Sequence, residues 1–97
     1  MKTDLLFIIC FLVTLISAAQ PPGTGKIIIA VRTENDNALG NATVELLNAK
    51  DSSLVKADIT DDKGIADFQR ISFGSYLVKV TLLNYSIKYS GIIELSS

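Results

Sequence analysis

Over most of its length the chain alternates. Thr43-Val44-Glu45-Leu46 and Tyr76-Leu77-Val78-Lys79-Val80-Thr81 place apolar side chains at every second position, the period of a strand that buries one face. Beyond residue 25 no stretch sustains a helical period, and short runs rich in β-branched and aromatic residues recur between clusters of Gly, Asn, Asp and Ser. The pattern predicts strands at Lys26 to Thr33, Thr43 to Asn48, Leu54 to Thr60, Ile65 to Gln69, Ser75 to Leu83 and Ile87 to Leu95. The predicted fold class is all-β, a small sandwich of six to seven strands.

Alternation also assigns faces. Ala42, Val44 and Leu46 form one inward set and Tyr76, Val78 and Val80 another, with Lys79 and Thr81 turned outward; Ile59, Phe68 and Ile71 are expected to extend the same core. Glu34-Asn35-Asp36-Asn37 and Leu39-Gly40-Asn41 join residues that accept positive φ or bond their own backbone, and are read as the link between the first two strands. Asp61-Asp62-Lys63-Gly64 reads as a tight hairpin turn whose glycine takes the left-handed conformation.

The N-terminal end breaks the pattern. Leu5 to Ile16 is an unbroken run of 12 apolar or neutral residues, preceded by Lys2 and followed by the small residues Ser17-Ala18-Ala19. That is the pattern of a secretory signal peptide, and the run is shorter than the roughly 20 residues a spanning helix needs. The expected organisation is a leader at 1–19, a Pro/Gly-rich connector at 20–25, disordered or extended, and a folded domain at 26–97. Cys10 lies inside the leader and is expected to leave with it, without lipidation, so the exported domain relies on a packed core rather than disulfides.

Composition narrows the function. The chain has 97 residues, one cysteine, no histidine and no tryptophan, which excludes histidine bases, Ser-His-Asp triads and the commoner zinc sites from the folded part. Removing Lys2 and Asp4 from 9 basic and 10 acidic residues leaves the formal net charge at −1, with no basic patch for nucleic acid. Asp58, Asp61, Asp62 and Asp67 crowd one hairpin, but their spacing is not that of an EF-hand loop, and aspartates at such positions form turns. Phe73, Tyr76, Tyr85 and Tyr89 make a candidate aromatic platform for sugar or peptide, set against ordinary core and strand packing. Lys26 and Glu45 invite comparison with isopeptide-forming stalk domains, but Glu45 falls on the outward phase and no asparagine follows Asn84. Asn41-Ala42-Thr43 and Asn84-Tyr85-Ser86 fit the N-glycosylation pattern. No catalytic, cofactor-binding or metal residue is assigned, and no cofactor is expected. The last segment, Ile87 to Leu95, with Lys88 and Glu94 as its only charges, is expected to be an edge strand open to pairing.

Three segments resemble a known family. Gly40-Asn41-Ala42-Thr43-Val44-Glu45-Leu46, Thr60-Asp61-Asp62-Lys63-Gly64-Ile65-Ala66-Asp67-Phe68 and Ile71-Ser72-Phe73-Gly74-Ser75-Tyr76-Leu77-Val78-Lys79-Val80 are similar, in that order, to the strand, hairpin and strand motifs of carboxypeptidase regulatory-like domains. The resemblance covers Lys26 to Tyr85 and implies a prealbumin-like Greek-key sandwich. Leu47 to Lys56 further resembles the version found at the N-terminus of TonB-dependent receptors and other outer-membrane β-barrel proteins. The chain departs from the family at Ala66, where an aromatic is common, at Ser72 and Phe73, where prolines are common, and at Asn84, where glycine is common. The resemblance implies a non-enzymatic, exported accessory module on the periplasmic side of the outer membrane. Its partners would be periplasmic or outer-membrane proteins, or the plug and barrel of a longer parent chain. The alternative is an independent secreted module that binds carbohydrate or peptide.

Overall fold

A computed structural model describes residues 9–16, 22–83 and 85–96, the first of these by backbone only. Eight strands follow in order: β1 (Ile9–Ile16), β2 (Thr24–Thr33), β3 (Thr43–Asn48), β4 (Leu54–Ile59), β5 (Ile65–Ser72), β6 (Gly74–Thr81), β7 (Lys88–Tyr89) and β8 (Ile93–Leu95). They form two antiparallel sheets. One has three strands in the order β1-β2-β5; the other runs β4-β3-β6-β7, with β8 also paired to β6. The all-β sandwich expected from the alternation is the observed fold.

One core lies between the sheets. Ile27, Ile29 and Val31 of β2 and Ala66, Phe68 and Ile71 of β5 meet Val44 and Leu46 of β3, Tyr76, Val78 and Val80 of β6, and Leu95 of β8. Fully burying an aliphatic or phenyl side chain contributes about 1.5–3 kcal/mol, so this set is the main favourable term holding a domain without disulfides together. Ala42, Val44, Leu46, Tyr76, Val78 and Val80 lie inside, as their phase requires, and Phe68 and Ile71 are both buried because the β5 ladder shifts register between them.

Ile59 does not. It is exposed, and the inward position at that corner belongs to Thr60. The chain leaves the second sheet here to enter the first, and the turn needs a hydrogen-bonding side chain: the Thr60 hydroxyl donates to Leu39 O (2.6 Å) and accepts from the Ala42 N–H (2.9 Å). An isoleucine in that place would leave both backbone groups unpaired in the interior, a larger loss than exposing one apolar side chain.

β4 ends one residue early, at Ile59, and β6 spans Gly74–Thr81 in place of Ser75 to Leu83; three larger departures have visible causes. β2 starts at Thr24, inside the supposed connector, because Gly23 O accepts from the Phe73 N–H (2.9 Å) and the strand already pairs with β5 at Thr24 and Gly25. β5 runs on to Ser72 through Arg70, whose φ of 56° turns the strand toward β6. Ile87 to Leu95 is two short strands rather than one: Ser90 caps the break, its N–H donating to Val78 O (2.8 Å) and its hydroxyl accepting from the Val78 N–H (2.9 Å). Of the proposed leader, Ile9–Ile16 is the strand β1, antiparallel to β2 over eight residue pairs from Ile9 opposite Thr33 to Ile16 opposite Lys26; residues 1–8 and 17–21 lie outside the described residues. Asn84, where the family commonly has glycine, also lies outside them.

Turn chemistry follows the side chains. Asp36 and Asn41 take the positive φ expected of their clusters (66° and 63°), and Thr33 Oγ1 accepts from the Asn35 and Asn37 N–H groups (3.2 Å each). In the hairpin turn Asp61 Oδ1 accepts from the Lys63 (2.9 Å) and Ile65 (3.0 Å) N–H groups, and Gly64 has φ 77°. Gly64 is also tightly packed, since a Cβ there would sit 2.6 Å from Val31 O.

Candidate functional surface

The second sheet carries a polar row on its outer face. Glu45 of β3 is opposite Lys79 of β6, which is opposite Tyr89 of β7. Lys79 Nζ is 3.7 Å from Glu45 Oε1 and 6.0 Å from the centre of the Tyr89 ring, so one half-buried cation is shared between a carboxylate and an aromatic face. The arrangement can hold three strands in register. Glu45 therefore engages Lys79, while Lys26 engages Asp67 at 3.7 Å, so the two residues singled out for cross-linking chemistry have separate ionic partners.

The acidic residues are dispersed by the fold into different tasks. Asp61 is occupied by the turn, and its two backbone donors, Ile65 above all, hold its carboxyl below the usual value of 3.8. Asp58 Oδ2 accepts from the Asp67 N–H (3.2 Å), and Asp67 itself faces Lys26 and the Gln69 amide. Among the described residues no group of three or more His, Cys, Asp or Glu side chains converges to hold a metal ion.

The aromatic residues divide likewise. Tyr76 is core; its hydroxyl donates to Ser72 O (2.5 Å), and burial pushes its pKa up. Phe73 and Tyr85 are half-buried against the core, and Tyr89 is exposed over Lys79. Phe73 and Tyr76, with Asn48, Lys50, Ser72 and Ser75, line an open cavity of about 380 Å³ at the end of the sheet where β3 stops and β6 begins. It was not evident in the sequence because Asn48 and Lys50 join Phe73 only through the β3–β6 register, Asn48 being opposite Tyr76.

The β6 margin is apolar. Leu83, Ile87, Tyr89 and Ile92, all between the end of β6 and the start of β8, are exposed. The two antiparallel sheets described above are those of a known domain type. Residues 25–83 match the prealbumin-like fold domain of SpaA. The chain belongs to this family. No curated protein and no solved structure matched the chain. The family match covers β2 to β6 and stops at Leu83, the first residue of the apolar margin, ahead of the two short strands that close the second sheet.

Proposed function

We propose that this prealbumin-like domain is a non-catalytic, exported interaction module, similar to the N-terminal extension of an outer-membrane TonB-dependent receptor. It docks through its β6–β7–β8 margin on the domain that follows it in a parent chain. The observation that carries this reading is the run of exposed apolar residues at that margin, Leu83 at 84% and Ile92 at 66% exposure among them, on strands too short to cover it. The leader pattern at 1–19, the three motifs shared with carboxypeptidase regulatory-like domains, and a folded part without histidine or cysteine support it.

The test has two parts. The reading frame past Ser97 is expected to continue into a plug and barrel; a stop codon there overturns the receptor context. In the parent protein Ile92→Lys should loosen the contact with the following domain, measured as faster proteolysis between the two, while the unfolding free energy of the domain changes by no more than about 0.5 kcal/mol, the usual effect of a surface substitution. The cavity beside Phe73 favours a second reading, a secreted carbohydrate- or peptide-binding module. Saturable glycan binding abolished by Phe73→Ala would support that reading instead.

A further inference from the structure

The two outer sides of the β2–β5 pair are finished differently. On the β5 side, the outward-facing backbone is engaged by side chains of β4: Lys56 Nζ donates to Gln69 O (3.0 Å) and Asp58 accepts from the Asp67 N–H (3.2 Å). On the β2 side no such guard is seen among the described residues; a whole strand, β1, is laid there instead. The Val31 N–H and C=O are spent on the β5 side, with Gly64 O (2.8 Å) and the Leu39 N–H (3.0 Å). Backbone groups alternate sides along a strand, so those of Ile28, Ala30 and Arg32 face β1. Both cations of β2 already have carboxylate partners, Lys26 with Asp67 and Arg32 with Asp36 (3.7 Å each). The covering strand, Ile-Cys-Phe-Leu-Val-Thr-Leu-Ile, carries no charge.

We propose that the β2 edge is a strand-accepting site, covered by the chain's own Ile9–Ile16 before processing and afterwards by an uncharged, extended segment of a partner protein, antiparallel to β2. The seated β1 defines what fits: about eight residues, apolar and β-branched, pairing from Lys26 to Thr33. A second copy is a poorer occupant, because β2 paired with β2 about Ile29 sets Lys26 opposite Arg32, and like charges directly opposite destabilise a ladder. An edge left bare would be an association hazard, which gives the leader a second task besides export.

The inference rests on the export reading only for how the edge comes free, so the experiment releases it artificially. A protease recognition sequence replaces residues 17–21 of the full chain; the cut protein is freed of its N-terminal piece, and amide hydrogen exchange is followed. Exchange at Ile28, Ala30 and Arg32 should rise about tenfold or more while Val78 and Val80 stay protected. A synthetic peptide of residues 9–16 carrying Cys10→Ser should restore protection, and the same peptide with Val13→Pro should not. The proposal is overturned by unchanged exchange after release, by loss of protection at Val78 and Val80, by no restoration with the first peptide, or by a dimer that protects the three amides unaided. The N-terminal residue of the exported protein, determined separately, tests natural cleavage after Ala19.

Discussion

Strands β2 and β4 carry similar apolar side chains and meet solvent in opposite ways. Ile29 of β2 is 0% exposed, whereas Ile59 of β4 is 59% exposed. β2 has a strand on each side and a second sheet over its inner face; β4 ends its sheet, paired with β3 alone, and reaches β5 through the polar side chains of Lys56 and Asp58. Hydrophobicity of a segment does not by itself decide its burial. The number of neighbours that the topology supplies decides it, and a strand at a margin can be as apolar as one at the centre while contributing far less.

The largest test of this contrast is a matched pair. Ile29→Ala should cost about 2–5 kcal/mol in urea unfolding, the range for truncating a packed core side chain, and Ile59→Ala no more than about 0.5 kcal/mol. Equal costs would mean that β4 is packed in a way its exposure hides. Next comes the junction between the two environments. Thr60→Val keeps the shape but deprives Leu39 O and the Ala42 N–H of their partner, and should lower stability by about 1–3 kcal/mol. A neutral result would show that water replaces the hydroxyl at that corner. The smallest effect belongs to the exposed turn that follows. Because the folded state holds the Asp61 carboxyl below 3.8, its contribution is present above that value and is lost as pH falls through the lower, folded one. Asp61→Asn should therefore be slightly less stable than the parent near neutral pH, with the gap closing in acid, read by denaturation midpoints across pH. A gap that persists in acid would assign the effect to geometry rather than charge.

The strands with strict alternation were legible before the structure was seen. Thr43–Asn48 has the bounds its pattern predicts, and the inward phase of Val44, Leu46, Val78 and Val80 holds throughout. β2 was legible as a strand but not as a face: Ile27-Ile28-Ile29-Ala30-Val31 has no period, so its contribution to the core, Ile27, Ile29 and Val31, stayed hidden. Thr60 was missed because its burial depends on two backbone groups, at Leu39 and Ala42, that only the folded corner brings to it. Residues 5–16 read in the sequence as part of a leader and not as a strand; that Ile9–Ile16 suit a strand beside β2 follows from their uncharged, partly β-branched character. At the candidate surface, the exposed margin after β6 was anticipated as a single strand, and the Ser90 cap that divides it has no local signature.

The ladder between β2 and β5 joins Ile29 to Ala66, with all of β3 and β4 between them in the chain. β3 and β4, linked by a short turn that Asn48 and Asp51 organise, can zip by themselves. The β2–β5 ladder follows once that hairpin has formed and the Asp61 turn has swung the chain back, since closing the longer loop costs more entropy than closing the shorter one. For a chain emerging N-terminus first during synthesis, β2 is thus the earliest of these strands to appear and one of the last to find its inner partner. Throughout that interval it stays at the mercy of whatever strand lies nearest.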